Sequence, residues 1–144
     1  GNDIRNMDEQ TKKIILNRQL IRINQDKKYS QPFFIGHRME KNTARSVSND
    51  LYYGNYPDGV VMLAKYLDDG KIAIGLFNLS DGISEMWQST FLTESVGVPQ
   101  SSGKKLRLKN VADGSEIISA NGCVTIKNTD PHASSVYIAE VIDA

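Results

Sequence analysis

Residues Gly59–Leu79 read GVVMLAKYLDDGKIAIGLFNL, and this stretch decides the fold. Two runs rich in strand-forming residues, Gly59 to Leu67 and Lys71 to Leu79, flank Asp68–Asp69–Gly70. Asp–Gly lets the chain take a positive φ at little steric cost, as a tight hairpin requires. In the second run Ile72, Ile74, Leu76 and Asn78 alternate with Ala73, Gly75 and Phe77. Nearly all are apolar, which suits a strand inside a sandwich better than one with a wet face.

Downstream, strand patterns recur at roughly even spacing: Ser84–Phe91, Lys104–Asn110, Glu116–Ser119, Cys123–Lys127 and Ser135–Ile142. Turn signals divide them at Asp81–Gly82, Pro99 to Gly103, Asp113–Gly114, Asn121–Gly122 and Asp130–Pro131. Many short strands between Gly, Asn and Pro turns predict a mainly β protein, an antiparallel β-sandwich of Greek-key type over residues 33–144. Upstream of the hairpin, Phe33–Phe34–Ile35 followed by Arg38 and Met39 predicts one strand. Glu40 to Pro57 is polar and predicts an irregular connection, with room for a short strand.

The first 26 residues break the β pattern. Asp8 is a good helix N-cap, and Glu9 places negative charge in the first turn. Leu16, Leu20 and Ile23 fall at i, i+4 and i+7, with Ile14, Ile15 and Ile21 nearby, while Lys12, Lys13, Arg18 and Arg22 fill the other face. This is amphipathic helical spacing, read either as one helix or as two short ones broken near Asn17. Lys27 to Pro32 reads as a linker.

The chain has 144 residues, formal net charge +0 and 40% hydrophobic residues. That length suits one domain, or one domain with a short attachment, and that apolar content supports a core. Neutral charge argues against a nucleic-acid partner. No run approaches the roughly 20 apolar residues of a membrane helix. Cys123 is the sole cysteine, so no internal disulfide forms; its strand-like setting predicts a buried structural thiol rather than a reactive one. Asn78–Leu79–Ser80 is a formal glycosylation sequon inside an apolar run.

Signatures of catalysis are sparse. His37 and His132 have no His or Cys neighbour at metal-ligand spacing, so no metal site is expected. No nucleophile elbow, P-loop or dinucleotide fingerprint occurs, and no cofactor is expected. Asp68, Asp69, Asp113 and Asp130 all read as turn formers in solvent. His132, next to Pro131, reads as a turn residue capping backbone groups. Trp87, with Tyr52, Tyr53 and Tyr56, offers a candidate sugar-stacking platform; core packing of Trp87 is the competing reading.

The ends of the chain carry a resemblance. Gly1–Asn2–Asp3–Ile4–Arg5, then Ile21–Arg22–Ile23–Asn24–Gln25–Asp26, resembles the close of the catalytic barrel in glycoside hydrolase family 27, the α-galactosidase and α-N-acetylgalactosaminidase family. There an Asn-Asp-x-Arg strand end leads through a helix to Ile-Asn-Gln-Asp. The family continues with Pro-Leu-Gly, where this chain has Lys27–Lys28–Tyr29. Lys65 to Asn78 resembles the first hairpin of the family's C-terminal sandwich. Val111 to Ile118 resembles a later strand and turn, without the Trp many members carry there. Asp130–Pro131–His132 resembles the run before the last strand.

The resemblance implies that residues 1–26 are the remnant of the last strand and helix of a (β/α)8 barrel. Residues 27–32 are then a linker and 33–144 the sandwich. It implies a parent enzyme that hydrolyses terminal α-linked galactose-type sugars with retention, using two Asp residues on earlier barrel strands. No position here matches either Asp, and Asp3 and Arg5 match structural positions. This chain is thus expected to be inactive by itself, with a structural or interface role. The implied partner is the barrel of the parent. The alternatives are a carbohydrate-binding module and an assembly domain. Cut from a barrel, Leu16, Leu20, Ile21 and Ile23 are expected to drive self-association or to dock a helix on the sandwich.

Overall fold

The computed structural model describes residues 4–41, 52–54, 59–83 and 86–144, with the backbone alone for Ile4, Lys41 and 52–54. Two antiparallel sheets pack face to face. The strands, in chain order, are β1 (Phe33–Phe34), β2 (His37–Lys41), β3 (Tyr52–Gly54), β4 (Val60–Tyr66), β5 (Ile72–Asn78), β6 (Trp87–Leu92), β7 (Lys104–Asn110), β8 (Glu116–Ile118), β9 (Cys123–Lys127) and β10 (Ser134–Asp143). The larger sheet runs β1-β4-β5-β10-β7-β8 and the smaller β3-β2-β6-β9. The last strand, β10, lies between the β4–β5 and β7–β8 hairpins, so long connections pass between sheets as in a Greek-key sandwich. Alternate residues point inward and close one core, including Met62, Ile74, Leu76, Phe91, Leu106, Leu108, Val124 and Ile126.

The opening hairpin forms as its sequence predicts. Tyr66 pairs with Ile72, the Leu67 N–H donates to Lys71 O at 2.9 Å, and the Gly70 N–H donates to Leu67 O at 3.3 Å. Gly70 sits at φ +79, the left-handed residue of a three-residue loop. β7 and β9 match the ranges read from sequence, and β10 is longer by one residue at each end. Ser84 and Glu85, the predicted start of the β6 run, lie outside the described residues.

One prediction needs correction. Phe33 to Met39 is not one strand but two, in different sheets. β1 pairs with β4, and the Ile35 N–H still donates to Met62 O in the larger sheet at 2.9 Å. After Gly36 the chain crosses, and β2 pairs with β6 and β3. Inward-facing apolar residues on both sides of Gly36 read as one alternation, although they enter the core from opposite sheets.

Residues 8–25 form two short helices, α1 (Glu9–Ile15) and α2 (Arg18–Asn24). Asp8 caps α1 by accepting from the Thr11 N–H at 2.8 Å. Asn17 caps α2, accepting from the N–H groups of Gln19 and Leu20. The break falls at Asn17 because its side chain takes the N–H groups that a continuous helix would leave to the preceding turn.

Candidate functional site

The feature that most sets this chain apart from a bare sandwich is the way α2 lies on the outer face of the larger sheet. Sequence explains the seat: β5 is apolar on both faces because each face is covered. Ile72, Ile74 and Leu76 fill the core. Ala73, Gly75 and Phe77, with Leu63 and Val136, line an outer crevice closed by Leu20, Ile23 and Pro32. Gly75 is needed there. A Cβ on it would lie 2.6 Å from Phe77 Cε2 and 2.9 Å from Cζ, because the Phe77 ring folds over Gly75.

Polar anchors surround the apolar contact. The Asn17 side-chain amide donates to Val111 O at 3.1 Å. Lys65 Nζ donates to Ile23 O at 2.8 Å, satisfying a carbonyl at the C-terminal end of α2 where the helix dipole favours a cation. Arg22 pairs with Asp69 in the β4–β5 turn. Asp26, just past the helix, is 9% exposed. Its carboxylate accepts from the Asp68 N–H at 3.1 and 3.2 Å and from the Lys28 N–H at 3.0 Å. Burial alone would raise the Asp26 carboxyl; the N–H groups of Asp68 and Lys28 and the Lys65 ammonium outweigh it and hold it below the usual carboxylate range.

Other apolar side chains of the helical pair reach solvent. Ile14 (57%), Ile15 (39%), Leu16 (59%) and Ile21 (38%) remain exposed. The amphipathic pattern thus splits. Leu20 and Ile23 line the crevice over the sheet, whereas Leu16 is exposed and Ile21 lines a separate crevice beside Asp26 and Asp68. A second crevice of about 330 Å³ runs between α2 and the β7–β8 hairpin, lined among others by Gln19, Lys71, Lys109 and Glu116. Within it Arg107 and Glu140 pair across β7 and β10.

The residues singled out for chemistry scatter. Trp87 is 8% exposed and belongs to the core, so its ring offers no open stacking face. Tyr52 and Tyr53 lie on β3, opposite Met39 and Arg38; Tyr56 is outside the described residues. His132 does not cap backbone. At φ +60, its Nε2 lies 2.7 Å from Asp81 Oδ1, because the Asp130–Ala133 turn swings the ring outward toward that loop. Cys123 is half-buried rather than buried, since it opens β9 at the sheet's end. Asp69 and Asp113 act as turn formers, accepting from the Lys71 and Ser115 N–H groups. Among the described residues no three His, Cys, Asp or Glu side chains gather to hold a metal, and no helix is long and apolar enough to cross a membrane.

Asn78 and His37 are among the buried polar residues whose setting the sequence did not show. Asn78, in the sequon, is 1% exposed. Its amide donates to Ile83 O at 2.7 Å and Thr129 O at 2.9 Å, and its oxygen accepts from Ser80. The folded domain therefore presents no acceptor nitrogen for a glycan. His37 is also buried. Burial lowers its pKa, partly offset by the contact of Nδ1 with Ile35 O, and so favours the neutral ring.

An antiparallel two-sheet sandwich carrying a docked helical pair at its N-terminal side is the class of domain defined here. Among solved structures, the chain is similar to a protein from Bacteroides fragilis assigned as an α-galactosidase/melibiase, at 27% identity and TM-score 0.62 over 97% of this chain and 24% of that one. It is also similar to α-galactosidase I from Mortierella vinacea, at 17% identity and TM-score 0.68 over 100% of this chain and 31% of that one. A protein from Bacillus halodurans assigned as an α-N-acetylgalactosaminidase matches at 24% identity and TM-score 0.63, over 97% of this chain and 27% of that one. The latter two likenesses speak to the fold. The chain spans about a quarter to a third of the length of these proteins. No protein-family model and no curated protein sequence matches it.

Proposed function

We propose that this chain is the C-terminal portion of an α-galactosidase-like, retaining glycoside hydrolase of family 27. In this reading residues 1–26 are the remnant of the last barrel strand and helix, 27–32 the linker and 33–144 the accessory sandwich. The parent hydrolyses terminal α-linked galactose-type sugars with two Asp residues supplied by its barrel. This piece carries structure and interface, not chemistry. The observation that carries the reading is the match to the Bacteroides fragilis protein, which runs through helices and sandwich alike over 97% of this chain. The exposed apolar side chains of the helical pair add to it, because a domain does not keep such a group in water without use.

The test is hydrolysis of p-nitrophenyl α-galactoside by the product of the complete reading frame and, separately, by residues 1–144. Turnover by the former and background release by the latter are expected. Turnover by residues 1–144, or a reading frame with no barrel-sized region upstream, would overturn the reading.

A further inference from the structure

We propose that the crevice between α2 and the β7–β8 hairpin is a binding site for a small oxyanion, a phosphate or carboxylate group carried on a compact body. Such a site stands apart from the glycosidase reading and holds with or without it.

Strand register builds the floor. Arg107 and Lys109 lie two residues apart on β7, on the face opposite the core residues Leu106 and Leu108. Glu140 pairs with Arg107 and Ile138 with Lys109 from β10, and Glu116 pairs with Lys109 from β8. Lys71 enters from the turn before β5, and Gln19 and Arg22 from α2. The space, about 330 Å³, falls within the range of small-ligand sites. On a chain of formal net charge +0, Arg22, Lys71, Arg107 and Lys109 line it against only Glu116 and Glu140.

Those carboxylates do not neutralise the cations one for one. Arg22 is held by Asp69, outside the crevice. Arg107 takes Glu140, its Nε donating to Oε1 at 2.8 Å, and Glu116 also bears on it electrostatically. Lys71 and Lys109 act on Glu140 through space. Among the described residues neither ammonium has a carboxylate in contact.

Hydrogen-bonding capacity is skewed the same way. Asn110 gives its oxygen to the Ala112 N–H at 2.8 Å, which leaves its NH2 to offer. The two ammoniums are donors only. Free cations in a concavity set up a positive field that a bound anion relieves, and N–H donors make their strongest bonds to an oxyanion. Ile138 and Val111 give the ligand's body an apolar patch. A solvated sheet face stitched by cross-strand ion pairs is the competing reading. It would join Lys109 to Glu116, its register neighbour, and among the described residues that pair is not formed.

The test is an NMR titration of the 144-residue chain at constant ionic strength with inorganic phosphate, with galacturonate and, as the neutral control, with galactose. Saturable shifts of the Gln19, Asn110, Gly114 and Ile138 amides are expected with phosphate or galacturonate and not with galactose. The tighter of the two anions names the group. Lys71→Gln with Lys109→Gln should weaken binding by roughly tenfold or more. Lys13→Gln, which removes a charge from α1, should leave it unchanged. Glu116→Gln should tighten binding, a gain that no misfolded variant would imitate. Absence of a saturable shift with either anion at roughly 10 mM would overturn the site. So would an equal response to galactose, binding that the double lysine variant retains, an equal weakening by Lys13→Gln, or no gain with Glu116→Gln.

Discussion

Replacing Asn78 tests how far one buried amide holds the sandwich together. Its side chain makes four hydrogen bonds, at 2.7 Å to Ile83 O, 2.9 Å to Thr129 O, 3.1 Å from the Ser80 N–H and 2.7 Å from the Ser80 hydroxyl. They join the end of β5 to the loop before β6 and the turn before β10. Asn78→Ala strands two carbonyls and one N–H. A stranded buried group costs about 1–3 kcal/mol, and carbonyls sit at the low end because they tolerate partial pairing. Three groups at about 1 kcal/mol each give a loss of about 3 kcal/mol. For a domain of this length that lowers the thermal midpoint by about 6–12 °C. Urea unfolding followed by circular dichroism measures it, and a loss under about 1 kcal/mol would refute the reasoning.

Asn78→Asp sharpens the test. It puts an oxygen where the amide NH2 faces two carbonyls, so only the protonated acid can donate there. The folded-state pKa is then raised above the unfolded value of about 3.9. A raised pKa gives stability that is present below the unfolded value and lost as pH rises through the folded one. The Asp variant should therefore be more stable than the Ala variant near pH 4 and less stable near pH 7. Parallel behaviour of the two across that range would show that the carbonyl contacts do not control the site.

Gly75→Ala should cost about 1–2 kcal/mol, because the new methyl displaces the Phe77 ring beneath α2; an unchanged urea midpoint would show that the ring swings aside freely. Acid should release α2 before the sandwich unfolds. The folded-state pKa of Asp26 is depressed, so its contribution is present above the ordinary carboxylate range and lost as pH falls through the folded value. The Asp68 amide resonance followed by NMR should report this, and Asp26→Asn should remove the transition. Trp87 is the sole tryptophan. Being buried, it should emit blue-shifted fluorescence that moves red in one step with urea and ignores added galactose; a response to sugar would mean the ring contacts ligand.

The hairpin was fully legible because its signal is local. Asp68–Asp69–Gly70 needs only its own backbone to turn, and the runs beside it alternate on their own. The helix break at Asn17 and the cap at Asp8 were readable for the same reason, since a side chain meets N–H groups two or three residues on. Phe33 to Met39 was misread because alternation records inward or outward and not which sheet. Asn78 was hidden for a similar reason: a polar residue in an apolar run becomes intelligible only through carbonyls that lie 5 and 51 residues away.

The platform of Trp87 and the tyrosines shows the limit on the site. Sequence places an indole on a strand, but the parity of that strand against the core decides whether the ring is buried, and here it is. Asp26 shows the same limit from the other side. Nothing local to Asp26 marks it for burial, yet the β4–β5 turn supplies it an N–H from Asp68, 42 residues away.

By itself, the sequence determined the mainly β class, the turn positions and the presence of an amphipathic helical segment, all of which follow from periodicity and from contacts within a few residues. Only the tertiary structure decided which apolar side chains of that segment are docked and which are bare. That choice depends on the crevice over Gly75 and on Asn17, Lys65 and Asp26 meeting residues distant in sequence, and no short-range pattern encodes those meetings.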